Sequence, residues 1–144
     1  MTDTEIVAIR EAAAIDDCFE AFHALRPHLD RDALKAQILR QFAQGYRVLA
    51  LRHGGQVESV AGYRHVEFLA WGKIIYIDDL STVPGARQRG QARQLLDAIV
   101  AEARAAACVA VHLDSGYARQ AAHRLYLRYG FVLSSHHFAL SLAD

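Results

Sequence analysis

The sequence predicts an α/β protein built as one domain around a mixed sheet. The chain has 144 residues, which is enough for one hydrophobic core. Apolar residues recur at strand and helix spacing along its length, and no linker, repeat or low-complexity stretch divides it. Apolar residues make up 53% of the chain and charged residues 22%, which is typical of a folded globular protein. We therefore predict a single domain over residues 1–144.

The N-terminal half predicts a strand, two helices and a hairpin. Residues 5–12 form a short predicted strand, and apolar residues at helical spacing predict a helix over residues 13–25. Asp30 can cap a second helix that ends at Gly45. A pair of glycines between residues 46 and 69 predicts the turn of a β-hairpin.

The C-terminal half alternates strands and helices. We expect a strongly apolar strand over residues 73–83 at the centre of the sheet, followed by a long helix that ends near residue 107. Residues 108–114 are almost continuously apolar, as in a parallel strand covered by a helix. A helix over residues 118–129 and two short strands in residues 130–142 complete the order β-α-α-β-β-β-α-β-α-β-β.

The charge balance argues against nucleic acid or a membrane as a partner. Lysine and arginine together number 16, as do aspartate and glutamate, so no overall charge favours an anionic polymer or surface. The sequence shows neither a signal peptide nor an apolar run of membrane-spanning length. Cys18 and Cys108 lie in apolar surroundings without metal spacing, so we expect reduced core residues and a cytoplasmic location.

The stretch VPGARQRGQARQLL, residues 83–96, predicts an anion-binding site. It joins a strand to a helix, whose first turn presents unpaired N–H groups and the positive end of the helix dipole. Gly90 allows a ligand to approach the backbone, and Ala92 is also small. Three arginines add positive charge: Arg87, Arg89 and Arg93. A phosphate or pyrophosphate fits this loop, and the alternative is a solvated connection.

The loop lacks the dinucleotide and nucleoside-triphosphate fingerprints, but it resembles another family. RQRGQA, Arg87 to Ala92, is similar to the [Q/R]-x-x-G-x-[G/A] pattern with which GNAT N-acetyltransferases hold the pyrophosphate of acetyl-coenzyme A. AAHRLYLRYGF, Ala121 to Phe131, resembles the A-x-x-x-Y-x-x-x-G-F segment of that family. The resemblance spans residues 73–133 and implies a GNAT-type fold in which the central parallel strands splay apart.

The resemblance implies a binding site for acetyl-coenzyme A (acetyl-CoA). The pantetheine arm would pair with the backbone of the central strand, and the pyrophosphate would lie on the loop, with Ser115, Arg119 and Tyr126 further along the chain. The implied strand and loop residues are Leu80, Ser81, Thr82, Val83, Arg87, Gln88, Arg89, Gly90, Gln91, Ala92 and Arg93. Gln88 and Gln91 stand where the family often has glycine or an apolar residue, and Arg119 stands where it commonly has asparagine.

Two residues are candidates for catalysis. By resemblance, Tyr126 lies near the coenzyme sulfur and can return a proton to the thiolate. The alternative is a core tyrosine with a satisfied hydroxyl. Asp78 falls where many members carry a glutamate that reaches the acceptor, so it is a candidate base or anchor for the acceptor ammonium. Strand alternation predicts that Asp78 and Asp79 face opposite sides of the sheet. The alternative for both aspartates is a structural hydrogen-bonding role.

The acceptor pocket is weakly marked in the sequence. His65, Asp79 and His123 are candidate contacts because they lie on the central strands or on the tyrosine helix. The eight histidines show no metal-ligand spacing, so we expect no metal.

The function implied by the resemblance is acetyl transfer from acetyl-CoA to a primary amine through a direct ternary complex. The acceptor can be a small molecule or a protein or peptide. A non-catalytic module that binds CoA as a regulatory domain is the alternative, and an interaction domain without a ligand is a third. Homodimerisation through terminal strands is also open.

Overall fold

The computed structural model describes residues 3–143 and confirms the α/β prediction. The described strands form one five-stranded sheet in the order β1-β2-β3-β4-β5. The strands are β1 Thr4–Ile9, β2 Arg47–His53, β3 Gln56–Phe68, β4 Gly72–Thr82 and β5 Ala110–Leu113. The helices are α1 Ala12–Asp17, α2 Phe19–Leu25, α3 Arg31–Phe42, α4 Gln91–Ala105 and α5 Gln120–Tyr129. The first four strands pair antiparallel, whereas β5 runs parallel to β4.

The chain forms two compact units. The first extends to Leu113 and contains the sheet with α1 to α4, and the second begins at Asp114 and contains α5. No helix among residues 3–143 combines the length and the apolar character that crossing a membrane requires.

Helices α1, α2 and α3 pack against the sheet through their apolar stripes. Their side chains meet those of β1, β2 and β3 in a buried cluster: Ile9, Ile15, Cys18, Ala21, Phe22, Leu34, Ile38, Tyr46, Val48, Ala50 and Val60. The predicted cap of α3 is present, because Asp30 Oδ1 accepts a hydrogen bond from the Ala33 amide at 2.8 Å. Helix α4 buries a second apolar stripe at Leu95, Leu96, Ile99 and Ala103.

Two elements differ from the sequence prediction. The helix predicted over residues 13–25 is two helices, because the Cys18 amide bonds to Ile15 O in a tight turn between α1 and α2. The two predicted terminal strands are not present, since residues 131–143 contain no strand. The apolar side chains of Val132, Leu133, Phe138, Leu140 and Leu142 are 79–92% exposed. Alternating apolar residues form a strand only where a neighbouring backbone pairs with them.

The edge of β4 that faces β5 is paired along only part of its length. The parallel register runs from Ile74↔Ala110 to Ile77↔Leu113, and β4 continues beyond it to Thr82. The backbone from Asp78 to Thr82 therefore has no strand partner on that side among the described strands. This open edge matches the splayed strands that the resemblance implies.

Candidate functional site

The loop after β4 leads into helix α4, which begins without a side-chain cap at its N-cap residue. A short 3-10 turn, Pro84–Ala86, follows the strand, and Gly90 precedes α4 in a left-handed conformation with φ +76°. The N-cap residue of α4 is this glycine, so it has no side chain with which to cap the first turn. A Cβ placed at Gly90 would meet no atom within 4 Å. The space over the helix start is therefore open to an anion.

The loop arginines extend around this helix start. Arg87 donates from Nε to Thr82 O at 3.3 Å, and Arg89 Nη1 lies 3.9 Å from Glu58 Oε1. Gln88 has φ +67°, a region that strongly favours glycine. This conformation gives a physical reason why a glycine would suit the position.

Glu58 is a positioning residue that sequence reasoning missed. The register of β3 with β2 skips Glu58, which is the extra residue of a β-bulge. Its carboxylate accepts a hydrogen bond from Gln91 Nε2 at 2.7 Å, and its carbonyl accepts one from the Val83 amide at 2.8 Å. Gln91 is only 5% exposed, and its Oε1 is buried without a partner among the described residues. No pattern in the sequence predicts this role for Glu58, which has the features of an ordinary polar strand residue.

The side chains at the end of β4 are engaged with β3. Ser59 Oγ donates to Ser81 O at 3.0 Å and lies 2.8 Å from Thr82 Oγ1, while Leu80 and Ser81 are buried. The open edge of β4 therefore offers its backbone to a ligand rather than these side chains.

A bulge places Asp78 and Asp79 in one network, so the prediction of opposite faces is wrong. The β3–β4 register passes from Gly62↔Asp79 to Tyr63↔Ile77, which leaves Asp78 as the extra residue on β4. A bulge breaks strict alternation. Arg26, near the end of α2, bonds through Nε to Asp79 Oδ1 at 2.9 Å and through Nη2 to Asp78 O at 3.1 Å.

The same network includes Arg64 and Tyr46. Arg64 binds Asp78 through two hydrogen bonds, Nε to Oδ1 at 3.1 Å and Nη2 to Oδ2 at 2.6 Å. Tyr46 donates its hydroxyl to Asp79 Oδ2 at 2.6 Å. Burial raises the pKa of Asp78, and the Arg64 hydrogen bond opposes this rise. Burial and the adjacent Asp79 raise the pKa of Tyr46 well above its usual value, so the phenol remains a donor.

His65 lies in a different cluster from Asp79. Its Nε2 is 2.6 Å from Glu102 Oε2 on α4, and Tyr63 donates to Glu102 Oε1 at 2.7 Å. Burial alone would raise the pKa of Glu102, but the hydrogen bonds from His65 and Tyr63 outweigh it and the pKa is lowered. Arg47 joins the cluster, which borders a pocket of about 490 Å³ at the ends of β1 and β2. The structure thus does not bring His65 to the aspartate network.

The second unit contains the remaining predicted residues. Tyr126 is buried on α5, and its ring contacts Phe131 edge-on at 5.8 Å between centroids. Burial raises the pKa of the Tyr126 phenol, while the charge of Arg119 and a hydrogen bond to it act in the opposite direction. Ser115 Oγ is buried with no hydrogen-bond partner in the described part of the chain. His123 Nε2 lies 2.8 Å from Gly116 O, which holds the turn before α5.

Comparison with known proteins identifies similar sequences and folds. The family model described as "Acetyltransferase (GNAT) family" matches residues 12–131. The search of curated proteins finds no match. Many solved structures match.

The structural neighbours differ in the acceptors that their names give. An aminoglycoside N-acetyltransferase, AAC(6')-Iy, in complex with CoA has a TM-score of 0.85 at 15% identity, over 98% of this chain and 95% of that chain. A ribosomal-protein-alanine N-acetyltransferase from Brucella melitensis biovar Abortus has a TM-score of 0.82 at 11% identity, over 96% and 99%. A Trypanosoma brucei acetyltransferase has a TM-score of 0.78 at 21% identity, over 97% and 100%. At these identities the likeness concerns the fold alone.

Proposed function

The chain belongs to the GNAT family of acetyltransferases, and from this premise we propose that it moves the acetyl group of acetyl-CoA to a primary amine within a ternary complex. The family makes the protein an acetyl-CoA-dependent N-acetyltransferase. In the proposed reaction the amine nitrogen bonds to the acetyl carbon and the thioester C–S bond breaks. The nitrogen releases a proton and the thiolate takes one up.

The observation that carries the proposal is the open helix start at Gly90. The φ of +76° suits a glycine, and the empty space around it would let a pyrophosphate approach the start of α4. Arg87, Arg89 and Arg93 are proposed to add charge, with Gln88 and Ala92 shaping the loop. The buried Gln91 Oε1 has no partner in residues 3–143 and can accept a hydrogen bond.

The open edge of β4 is proposed to hold the pantetheine arm. The edge beyond Ile77 lacks a strand partner on the β5 side in the described chain. An extended ligand with amide groups can add to such an edge as a strand does. Among Leu80, Ser81, Thr82 and Val83, the residues whose backbone groups face the open edge would bind the arm, whereas the Val83 amide is bonded to Glu58 O on the other side. The proposed contacts of Ser115 rest on its unpaired hydroxyl.

Tyr126 is proposed to return the proton to the sulfur. Burial raises the pKa of this phenol, so Tyr126 is protonated at neutral pH. Arg119, whose charge opposes this rise in the pKa of Tyr126, remains a proposed contact of the coenzyme phosphates.

Asp78 is proposed to anchor the acceptor rather than to remove its proton. Both carboxylate oxygens of Asp78 are held by Arg64. Although burial raises the pKa of Asp78, each of its oxygens already accepts a hydrogen bond from Arg64, so we assign the carboxylate to attract an ammonium rather than to take up its proton. Asp79, bound by Arg26 and Tyr46, supports this arrangement from the neighbouring position. The proton of the amine then leaves through water.

The test is calorimetric titration of acetyl-CoA into wild type, Gly90→Glu and Gly85→Glu. We expect wild type to bind and Gly90→Glu to lose binding, because the new carboxylate fills the open space and repels the pyrophosphate. Gly85→Glu adds the same charge in the neighbouring turn, where a Cβ also meets nothing within 4 Å, and should retain most of the affinity. Unchanged affinity in Gly90→Glu would refute the assignment of the loop.

A further inference from the structure

The aspartate network carries no net formal charge. Two carboxylates, Asp78 and Asp79, are matched by two guanidinium groups, Arg26 and Arg64. Each of the four carboxylate oxygens already accepts a hydrogen bond, three from the arginines and one from Tyr46. A ligand with several positive charges therefore finds no excess negative charge in this network, whereas a single ammonium can still bond to a second lone pair of an Asp78 oxygen.

Arg26 is the most accessible member of the network. Its side chain is 40% exposed, compared with 14% for Asp79, 23% for Asp78 and 24% for Arg64. Its Nε and Nη2 are used within the network, whereas its Nη1 has no bond in the described structure. An incoming ligand therefore first meets the guanidinium of Arg26, whose Nη1 can donate a further hydrogen bond.

Arg26 also lies at the point where the open edge of β4 begins. Its Nη2 bonds to the carbonyl of Asp78, the first residue beyond the register with β5. An acceptor that reaches this edge meets the Asp78 carboxylate and the Arg26 guanidinium as immediate neighbours. Such a pair is complementary to a molecule that carries an ammonium and a carboxylate a few bonds apart.

We propose that the acceptor is an amine with a carboxylate close to its nitrogen, as in an amino acid, and that Arg26 binds this carboxylate. The inference rests on the proposed function, because it takes the open edge of β4 as the place of acetyl transfer. Asp78 attracts the ammonium and Arg26 fixes the carboxylate, so the two groups orient the nitrogen together. A polycation such as an aminoglycoside brings additional ammonium groups against Arg26 and is disfavoured.

The test compares initial rates of acetylation for the twenty amino acids, their carboxamides and neamine. The carboxamides retain the amine and lose only the carboxylate charge. For the amino acid with the highest kcat/KM, we expect the carboxamide to be at least about tenfold poorer, since a charge-assisted hydrogen bond is lost. Arg26→Gln should lower kcat/KM for the acid about tenfold and leave that for the carboxamide nearly unchanged.

Two further variants separate recognition from folding. In the double variant Arg26→Gln/Asp79→Asn, position 79 no longer carries a carboxylate that has lost its arginine. This variant should show the same fall of about tenfold in kcat/KM for the amino acid as Arg26→Gln. Arg40→Gln removes an exposed arginine on α3, outside the network, and should leave kcat/KM for the amino acid at the wild-type value.

The proposal would be overturned if the protein preferred neamine or the carboxamide to the amino acid. It would also be overturned if Arg26→Gln lowered kcat/KM equally for the amino acid and its carboxamide. Absence of acetylation with every amine would overturn it as well. In that case calorimetry separates the two failures: loss of acetyl-CoA binding refutes the proposed function as a whole, whereas binding without transfer leaves the donor site in place and refutes the proposed acceptor.

Discussion

At the residue scale, Tyr126 combines a buried side chain with a raised pKa. Its ring lies edge-on against Phe131, and this contact restrains its orientation. A core tyrosine requires only that its hydroxyl be satisfied. A proton donor also requires that it hold its proton at the working pH, and the raised pKa of the phenol meets that condition at neutral pH.

Tyr126→Phe is expected to slow turnover about 100-fold, which is typical for loss of a general acid, while acetyl-CoA affinity stays within about twofold. The measurement is steady-state kinetics alongside calorimetry. Burial raises the pKa of the phenol above its usual value of 10.0, so the decline of the wild-type rate that belongs to Tyr126 should begin only above about pH 10. A wild-type rate in the variant would assign the proton to water.

Gly62 is the residue on which the tyrosine of the aspartate network depends. A Cβ at this position would lie 1.6 Å from the hydroxyl oxygen of Tyr46. We expect Gly62→Ala to destabilise the protein by about 1–3 kcal/mol and to displace Tyr46 from Asp79. Urea denaturation measures the change, with Gly85→Ala as the matched control because its Cβ meets nothing within 4 Å. Equal stability of the two variants would contradict the packing seen here.

At the scale of elements, the bulge at Glu58 joins β3, the end of β4 and the start of α4. The carbonyl of Glu58 accepts from Val83, and its carboxylate accepts from Gln91. This geometry positions the helix start, yet it also places a negative charge near the proposed pyrophosphate site.

The two effects of Glu58 can be separated by substitution. Glu58→Gln keeps an oxygen acceptor and removes the charge, so acetyl-CoA affinity should equal or exceed that of wild type. Glu58→Ala removes the hydrogen bond to Gln91 and should weaken binding about fivefold, in line with about 1 kcal/mol for one buried hydrogen bond. Calorimetry measures both variants. The positioning role would be excluded if Glu58→Ala bound as tightly as Glu58→Gln.

Features that depend on residues close together in the sequence could be predicted. Features that depend on pairing with a distant part of the chain could not. The Asp30 cap and the strand–loop–helix unit around Gly90 follow from nearby residues and were predicted. Bulges at Glu58 and Asp78 arise from pairing with another strand, so alternation within one strand put Asp78 and Asp79 on opposite faces. The pairing of Arg26 with Asp79 joins residues 53 positions apart, which no local pattern reveals.

At the scale of the whole molecule, several buried acids retain their protons in the folded state. Burial raises the pKa of Cys18 from 9.0 to about 12, and burial also raises the pKa values of Tyr46, Tyr63 and Tyr126. The unfolded chain releases these protons at lower pH than the folded protein does. Their contribution to stability is therefore complete below about pH 9 and is lost as the pH rises.

The free energy of unfolding should consequently fall between pH 9 and pH 11, by up to about 1.4 kcal/mol per pH unit for each such group. Cys18→Ala removes one of these groups and should make the decline shallower. Urea denaturation at a series of pH values measures the slopes. Identical slopes for Cys18→Ala and wild type would show that Cys18 does not contribute.

The open edge of β4 has a consequence for the behaviour of the protein at high concentration. Unpaired strand backbone is a template for association with another chain, and natural sheets protect such edges with bulges and charged residues. The bulge at Asp78 and the guanidinium of Arg26 bound to its carbonyl lie where this edge begins. We therefore expect Asp78 and Arg26, which are proposed to bind the acceptor, to hinder pairing of this edge with a strand of another chain. Bound acetyl-CoA would cover the rest of the edge.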